Sequence, residues 1–132
     1  MNRTEQRAHI FKLVFESEFN QRDEMPEQVA LYFETKLPNR ADDLEKIRNK
    51  TCAILDNKEE IDKLLNEKTT GWKTSRMNKV DLSILRVAVY EILWDDEVPF
   101  KVAVNEAVEL AKEYSGKEGP GFVNGVLAKF AL

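Results

Sequence analysis

The stretch from Val80 to Leu93 is apolar almost all round, with Leu82, Ile84, Leu85, Val87, Ala88, Val89, Ile92 and Leu93 crowded into it. A helix of this kind is normally enclosed by neighbours, since an exposed side would leave apolar surface in water. The second half of the chain must therefore build a bundle around it, and the flanking residues supply the helices. Upstream, Thr74 or Ser75 can cap a segment that takes in Arg76 and Lys79 and continues to about Trp94. Downstream, Pro99 starts a helix with Ala103, Ala107, Leu110, Ala111 and Tyr114 inward, and Gly116 ends it. Gly119-Pro120-Gly121 forces a turn before a last helix that buries Val123, Val126, Leu127 and Phe130.

Helical periodicity also runs through the first half, and no alternating strand pattern interrupts it. The spacing predicts a helix from about Arg3 to Asn20, with Ala8, Phe11, Phe15 and Phe19 on one face and Glu5, His9, Lys12 and Glu16 on a solvated opposite stripe. Pro26 suits the first turn of a second helix, which Pro38 stops near Leu37. A third, about Ala41 to Leu55, directs Leu44, Ile47, Thr51, Ile54 and Leu55 inward. Asn57-Lys58-Glu59-Glu60 reads as a capping-box-like start for a fourth helix with Ile61, Leu64 and Leu65, which Thr69-Thr70-Gly71 breaks. The expected fold is all-α and a single domain over residues 1–132, with an N-terminal bundle over about 1–56 and a C-terminal one over about 57–132.

A chain of 132 residues, 42% apolar and 33% charged, can bury its own core and does not have the composition of a disordered segment. No run approaches the roughly 18 consecutive apolar residues needed to span a bilayer. The N-terminus mixes acids into its apolar stretch and lacks a small-residue cleavage site, so it does not read as a signal peptide. Cys52 is alone, and a reducing, cytoplasmic setting is the simplest expectation. The net charge of −4 constrains function most. Proteins that hold nucleic acid mainly by neutralising phosphates are usually basic, so RNA binding here would need a local patch and help from a partner.

Catalytic constellations are scarce. His9 is the sole histidine and sits on a polar stripe, which leaves no zinc site of the usual ligand types. Asn105, Glu106 and Glu109 resemble part of a carboxylate metal helix without its Glu-x-x-His partners. The glycines from Gly116 to Gly125 follow no strand, so they do not form a nucleotide loop. No enzyme activity, cofactor or metal is expected.

Aromatic and basic residues are better leads. Phe122 lies one position off the apolar face of the last helix, where it can either stack on an unpaired base or pack under the preceding turn. Asn124 can read a base edge or satisfy the helix start, and Gly125 suggests a close helix approach. Arg3 and Arg7, and Arg76 and Lys79, are pairs at helical spacing that can meet phosphates or simply face water. Trp72 reads best as a lid on the second core, and Phe15 or Phe19 can extend beyond the first as a protein-binding edge.

Several stretches resemble one family, the NusB transcription antitermination factors: WKTSR at residues 72–76, VDLSILR at 80–86, YEIL at 90–93, VPFKVAVNEAVELAK at 98–112 and FVNGVL at 122–127. The resemblance covers essentially the whole chain. It implies two three-helix bundles with an additional helix, about seven helices in all. It also implies an adaptor that binds the single-stranded boxA element of RNA together with ribosomal protein NusE. That complex joins RNA polymerase and other Nus factors to keep transcription of ribosomal RNA operons processive. Carried over by position, Arg3, Arg7, Arg76, Lys79, Glu118, Phe122 and Asn124 resemble RNA-facing residues, and Phe15 and Asp81 resemble NusE-facing ones. The N-terminus is poorer in arginine than in many relatives, and Ala128 stands where an Asp often follows the FVNGVL motif. The alternatives are a protein–protein adaptor without independent RNA binding, a self-associating form such as a homodimer, and an accessory module of an RNA methyltransferase. The last is disfavoured because the chain ends soon after the helical module.

Overall fold

A computed structural model describes residues 1–38 and 41–131. Among the described residues it contains seven α-helices and no strand. The backbone divides into two compact units, Met1–Asp56 and Asn57–Leu132.

In the first unit α1 (Arg3–Glu16) and α2 (Met25–Lys36) both pack on α3 (Ala41–Asp56). Asn2 caps α1, accepting from the Glu5 amide at 2.8 Å, while the Glu5 carboxylate accepts the Asn2 amide in return. The buried stripe of α1 is Arg7, Ile10, Phe11, Leu13 and Val14, so the expected face through Ala8, Phe15 and Phe19 is displaced. The reason is that α1 stops at Glu16. Ser17–Phe19 forms a short 3-10 turn, and Phe19, 71% exposed, stacks edge-to-face on Phe15 with ring centroids 5.5 Å apart. Pro26 sits in the first turn of α2, and Leu37 ends that helix just before Pro38, as the sequence predicts. Ile47, Thr51, Ile54 and Leu55 are buried on α3, with Leu44 only partly covered.

Two buried polar groups in this unit carry predictions. The Thr51 side chain is fully enclosed, and its hydroxyl has no hydrogen-bond partner among the described residues. An unmet hydroxyl in an apolar core costs about 1–3 kcal/mol of desolvation. Thr51→Val keeps the shape and β-branching and removes that cost, so chemical denaturation should show a gain of about 1 kcal/mol. A loss would mean that the hydroxyl has a bonded partner after all.

His9 is half-buried rather than solvated. Its Nδ1 lies 2.6 Å from the Tyr32 hydroxyl, and the rings meet edge-on. Burial, then the nearby Lys12, push the imidazole pKa below its ordinary 6.5, with Glu5 opposing. A histidine whose pKa is lowered on folding favours the neutral form, so the unfolded chain takes up more protons. The stability it contributes is complete above pH 6.5 and is lost as pH falls through the lowered value. The difference in unfolding free energy between wild type and His9→Asn should therefore shrink between pH 7 and pH 5. A difference that stays flat would show that His9 titrates alike in both states.

In the second unit α5 (Lys79–Trp94) is the hub, packed against α4 (Lys58–Lys68), α6 (Phe100–Tyr114) and α7 (Gly119–Ala128). Every residue from 81 to 89 is buried, which is what the all-round apolar stretch requires. Asn57 occupies the start of α4, but its side chain makes no capping bond, so the expected capping box does not form. The expected fifth segment is also broken. Thr74–Arg76 is a separate 3-10 turn, and α5 begins only after Asn78, whose side chain accepts from the Asp81 amide. Pro99 precedes α6 as predicted, while Gly119-Pro120-Gly121 is the first turn of α7 rather than a turn before it. Val123, Val126, Leu127 and Phe130 are all buried.

Candidate nucleic-acid interface

The connection between α4 and α5 builds one wall of a groove in the second unit. Gly71, at φ +84°, lets the chain double back after α4, a conformation that L side chains rarely adopt. The Thr69 hydroxyl is within hydrogen-bonding reach of the Leu65 and Trp72 carbonyls, which pins the turn. The Thr74 amide donates to Asn66 Oδ1 at 2.8 Å and anchors the 3-10 turn that carries Arg76. Trp72 is left 55% exposed, so it is not the lid expected from sequence.

The opposite wall is the link from α6 to α7. Ser115 ends α6, residues 116–118 turn, and Gly119 opens α7. Lys117 and Glu118 are exposed, and Phe122 on the first turns of α7 is half-covered. Its ring meets Trp72 edge-to-face, centroids 5.5 Å apart and planes at 65°. The cleft between the walls has a volume of about 720 Å³, lined chiefly by Trp72, Arg76, Met77, Asn78, Asp81, Ser115, Lys117, Glu118 and Phe122.

At its base Asp81 is 5% exposed. Its Oδ2 accepts from Asn78 Nδ2 at 2.9 Å and its Oδ1 accepts from the Ser115 hydroxyl. The resemblance makes Asp81 NusE-facing; here it lies at the base of the groove with both carboxylate oxygens bonded within the chain.

The other expected site residues fall into three groups. Arg76, Glu118 and Phe122 line the groove. Lys79 and Asn124 are exposed on α5 and α7 but outside the lining, because the break at Met77 and Asn78 separates Lys79 from Arg76. Arg3 and Arg7 belong to the first unit and lie four apart on one side of α1, but differ in exposure. Arg3 is exposed, whereas Arg7 is only 5% exposed because it lies on the stripe of Ile10, Phe11 and Val14. Phe15 is half-covered beside Phe19. Gly125 is exposed, and a methyl group placed there would meet nothing within 4 Å, so it marks no close approach. The groove also takes in Lys117 and Ser115, which the sequence does not single out. The basic residue next to Glu118 was a visible signal for the first, but nothing local marks the second.

Chemically, the groove offers an aromatic pair flanked by the cations of Arg76 and Lys117, with one carboxylate, Glu118, among them. Aromatic faces stack bases of any identity, and flanking cations track the phosphate backbone. Among the described residues no group of three or more His, Cys, Asp or Glu could hold a metal ion, and no helix is long and apolar enough to cross a membrane.

Comparison with known proteins agrees across the full length. The NusB family model matches residues 4–132. The transcription antitermination protein NusB of Agathobacter rectalis is 49% identical, over 99% of this chain and all of that protein. Its counterpart from Acetivibrio thermocellus is 44% identical over 98% of this chain and 88% of its own. Among solved structures, T. maritima NusB superposes with a TM-score of 0.84 at 29% identity, covering 99% of this chain and 91% of that one. The solution structure of Aquifex aeolicus NusB gives 0.81 at 26% identity, covering 98% and 87%. An all-helical architecture and matches of this extent in both sequence and structure lead to one assignment: the chain belongs to the NusB family of transcription antitermination proteins.

Proposed function

We propose that this protein carries out antitermination as a non-catalytic RNA-binding adaptor. It grips single-stranded boxA RNA together with NusE and thereby joins RNA polymerase and other Nus factors during ribosomal RNA transcription in the cytoplasm. In this reading residues 1–132 work as one domain. The observation that carries it is the Trp72–Phe122 ring pair, 5.5 Å apart, in a groove whose rim bears Arg76 and Lys117. Unpaired bases need such a platform, and two cations match a short run of phosphates rather than a duplex. Lys79 and Asn124 extend the contact along the second unit, Glu118 lies at the rim among the cations, and the first unit offers Arg3 to the RNA separately. Arg7, only 5% exposed in the first unit, contributes less to the RNA surface than Arg3.

The net charge of −4 sets a limit on this affinity. A partner that adds positive surface offsets it, and binding of RNA and NusE is then coupled in both directions. The Phe15–Phe19 edge, with Phe19 largely exposed, is the apolar surface in the first unit suited to NusE. The same edge favours the second reading, a protein adaptor without RNA affinity of its own.

Titrating labelled boxA-like RNA with and without NusE across salt concentrations separates the two. The RNA reading expects weak binding alone, tighter binding with NusE, and a salt slope equivalent to only a few phosphates, each contributing about 0.7 for a single strand. No RNA binding under either condition would leave the adaptor reading standing.

A further inference from the structure

We propose that Asp81 and Ser115 form a latch that holds the two walls of the groove at their working separation, so that Asp81 is a positioning residue for RNA. The proposal rests on the RNA reading of the groove given above.

One wall leads into α5 and carries Arg76; the other leads out of α6 and carries Lys117 and Phe122. Ser115 and Asp81 are 34 residues apart in sequence, and the buried Asp81 carboxylate joins the walls beneath the Trp72–Phe122 ring contact. Asp81 bonds Asn78 on its own side and the Ser115 hydroxyl on the other. The Asp81 amide also donates to Asn78 Oδ1 at 2.8 Å, so the carboxylate is held at both its backbone and its tip. On the far side the Ser115 amide is fixed to the Ala111 carbonyl at 2.9 Å, and the Gly119 amide to the Gly116 carbonyl at 3.0 Å.

Gly119 shows how closely this latch is fitted. A Cβ at that position would collide with the Ser115 hydroxyl, stand 2.5 Å from Ser115 Cβ, and approach Asp81 Oδ1 to 3.2 Å. Only glycine lets the first turn of α7 close over the Ser115–Asp81 bond. Phe122 follows on that turn, so the bond sets where the ring meets Trp72. A shift of about 1 Å at such a pair is enough to misplace a stacking platform.

Ser115→Ala removes the hydroxyl that reaches Asp81 from the opposite wall and leaves the Asn78–Asp81 bonds in place. Two measurements on the full chain test the latch: hydrogen exchange of the Gly119 and Phe122 amides, which bond the Gly116 and Glu118 carbonyls, and the Kd for a single-stranded boxA-like oligonucleotide well below the melting temperature. We expect exchange there to quicken about tenfold, the scale of one hydrogen bond. The amides at the centre of α5 should be unaffected, and Kd should rise by a similar factor. Asp81→Asn keeps an acceptor for Asn78 and can donate its amide to the Ser115 oxygen, so it should retain most of the affinity that Asp81→Ala loses.

A purely stabilising contact would lower the melting temperature and leave Kd unchanged, because the protein stays folded under the assay conditions. Unchanged exchange, or faster exchange at constant Kd, overturns the latch. Should the wild type fail to bind the oligonucleotide, the RNA reading falls, while the exchange result still decides whether the two walls are tied through Ser115.

Discussion

Arg86→Ala should lower the unfolding free energy by about 3 kcal/mol, and the melting temperature by roughly 10 °C. Arg86 lies in the middle of the buried run of α5, yet carries a full charge. Its Nε and one terminal nitrogen donate to the two Asp62 carboxylate oxygens at 2.9 and 2.8 Å, a bidentate clasp between α4 and α5. Truncating one partner of such a pair leaves the other charge without its match and opens a cavity the length of the arginine stem. Asp62 keeps some contact with water, which places the loss at the lower end of the range for buried pairs. Replacing both partners by apolar residues of similar size, Arg86→Met with Asp62→Leu, should cost less than either truncation. Urea denaturation of the three variants checks this, and a loss below 1 kcal/mol in Arg86→Ala would show that water reaches the pair freely.

Phe122→Ala should weaken binding of single-stranded RNA by about 1–3 kcal/mol, roughly fivefold to 150-fold, the worth of one stacked base. The ring is half-covered and leans on Trp72, which is itself more than half exposed. Little core is therefore lost with it, and the melting temperature should fall by only a few degrees. No charge is removed, so the salt slope should stay as in the wild type. Arg76→Ala makes the contrasting case, flattening the slope by about one phosphate. A collapse in stability for Phe122→Ala would assign the ring to the core of the second unit and remove it from the binding surface.

Much of the second unit is legible in the chain itself. Val123, Val126, Leu127 and Phe130 repeat at helical spacing, and all four are buried. Pro99 and the stretch around Leu85 place α6 and α5 correctly, because a proline start and an all-round apolar run are local signals. The first helix misled for an equally local reason. The four-residue rhythm of Phe11, Phe15 and Phe19 suggests one long face, but α1 ends before Phe19 can join it. Arg7 stands three, four and seven residues before Ile10, Phe11 and Val14, so its burial could have been read from spacing had its charge not argued for water.

Hydrophobic period, prolines and caps thus determined that this chain is helical and roughly where each helix lies, since those signals act between residues a turn or two apart. Tertiary structure alone decided which polar residues line the groove. Asp81 and Ser115 meet across 34 residues, and Trp72 finds Phe122 only when the link from α4 and the start of α7 are brought together. The energy of a carboxylate or an exposed ring depends on what lies across the gap from it, and sequence spacing does not record that distance.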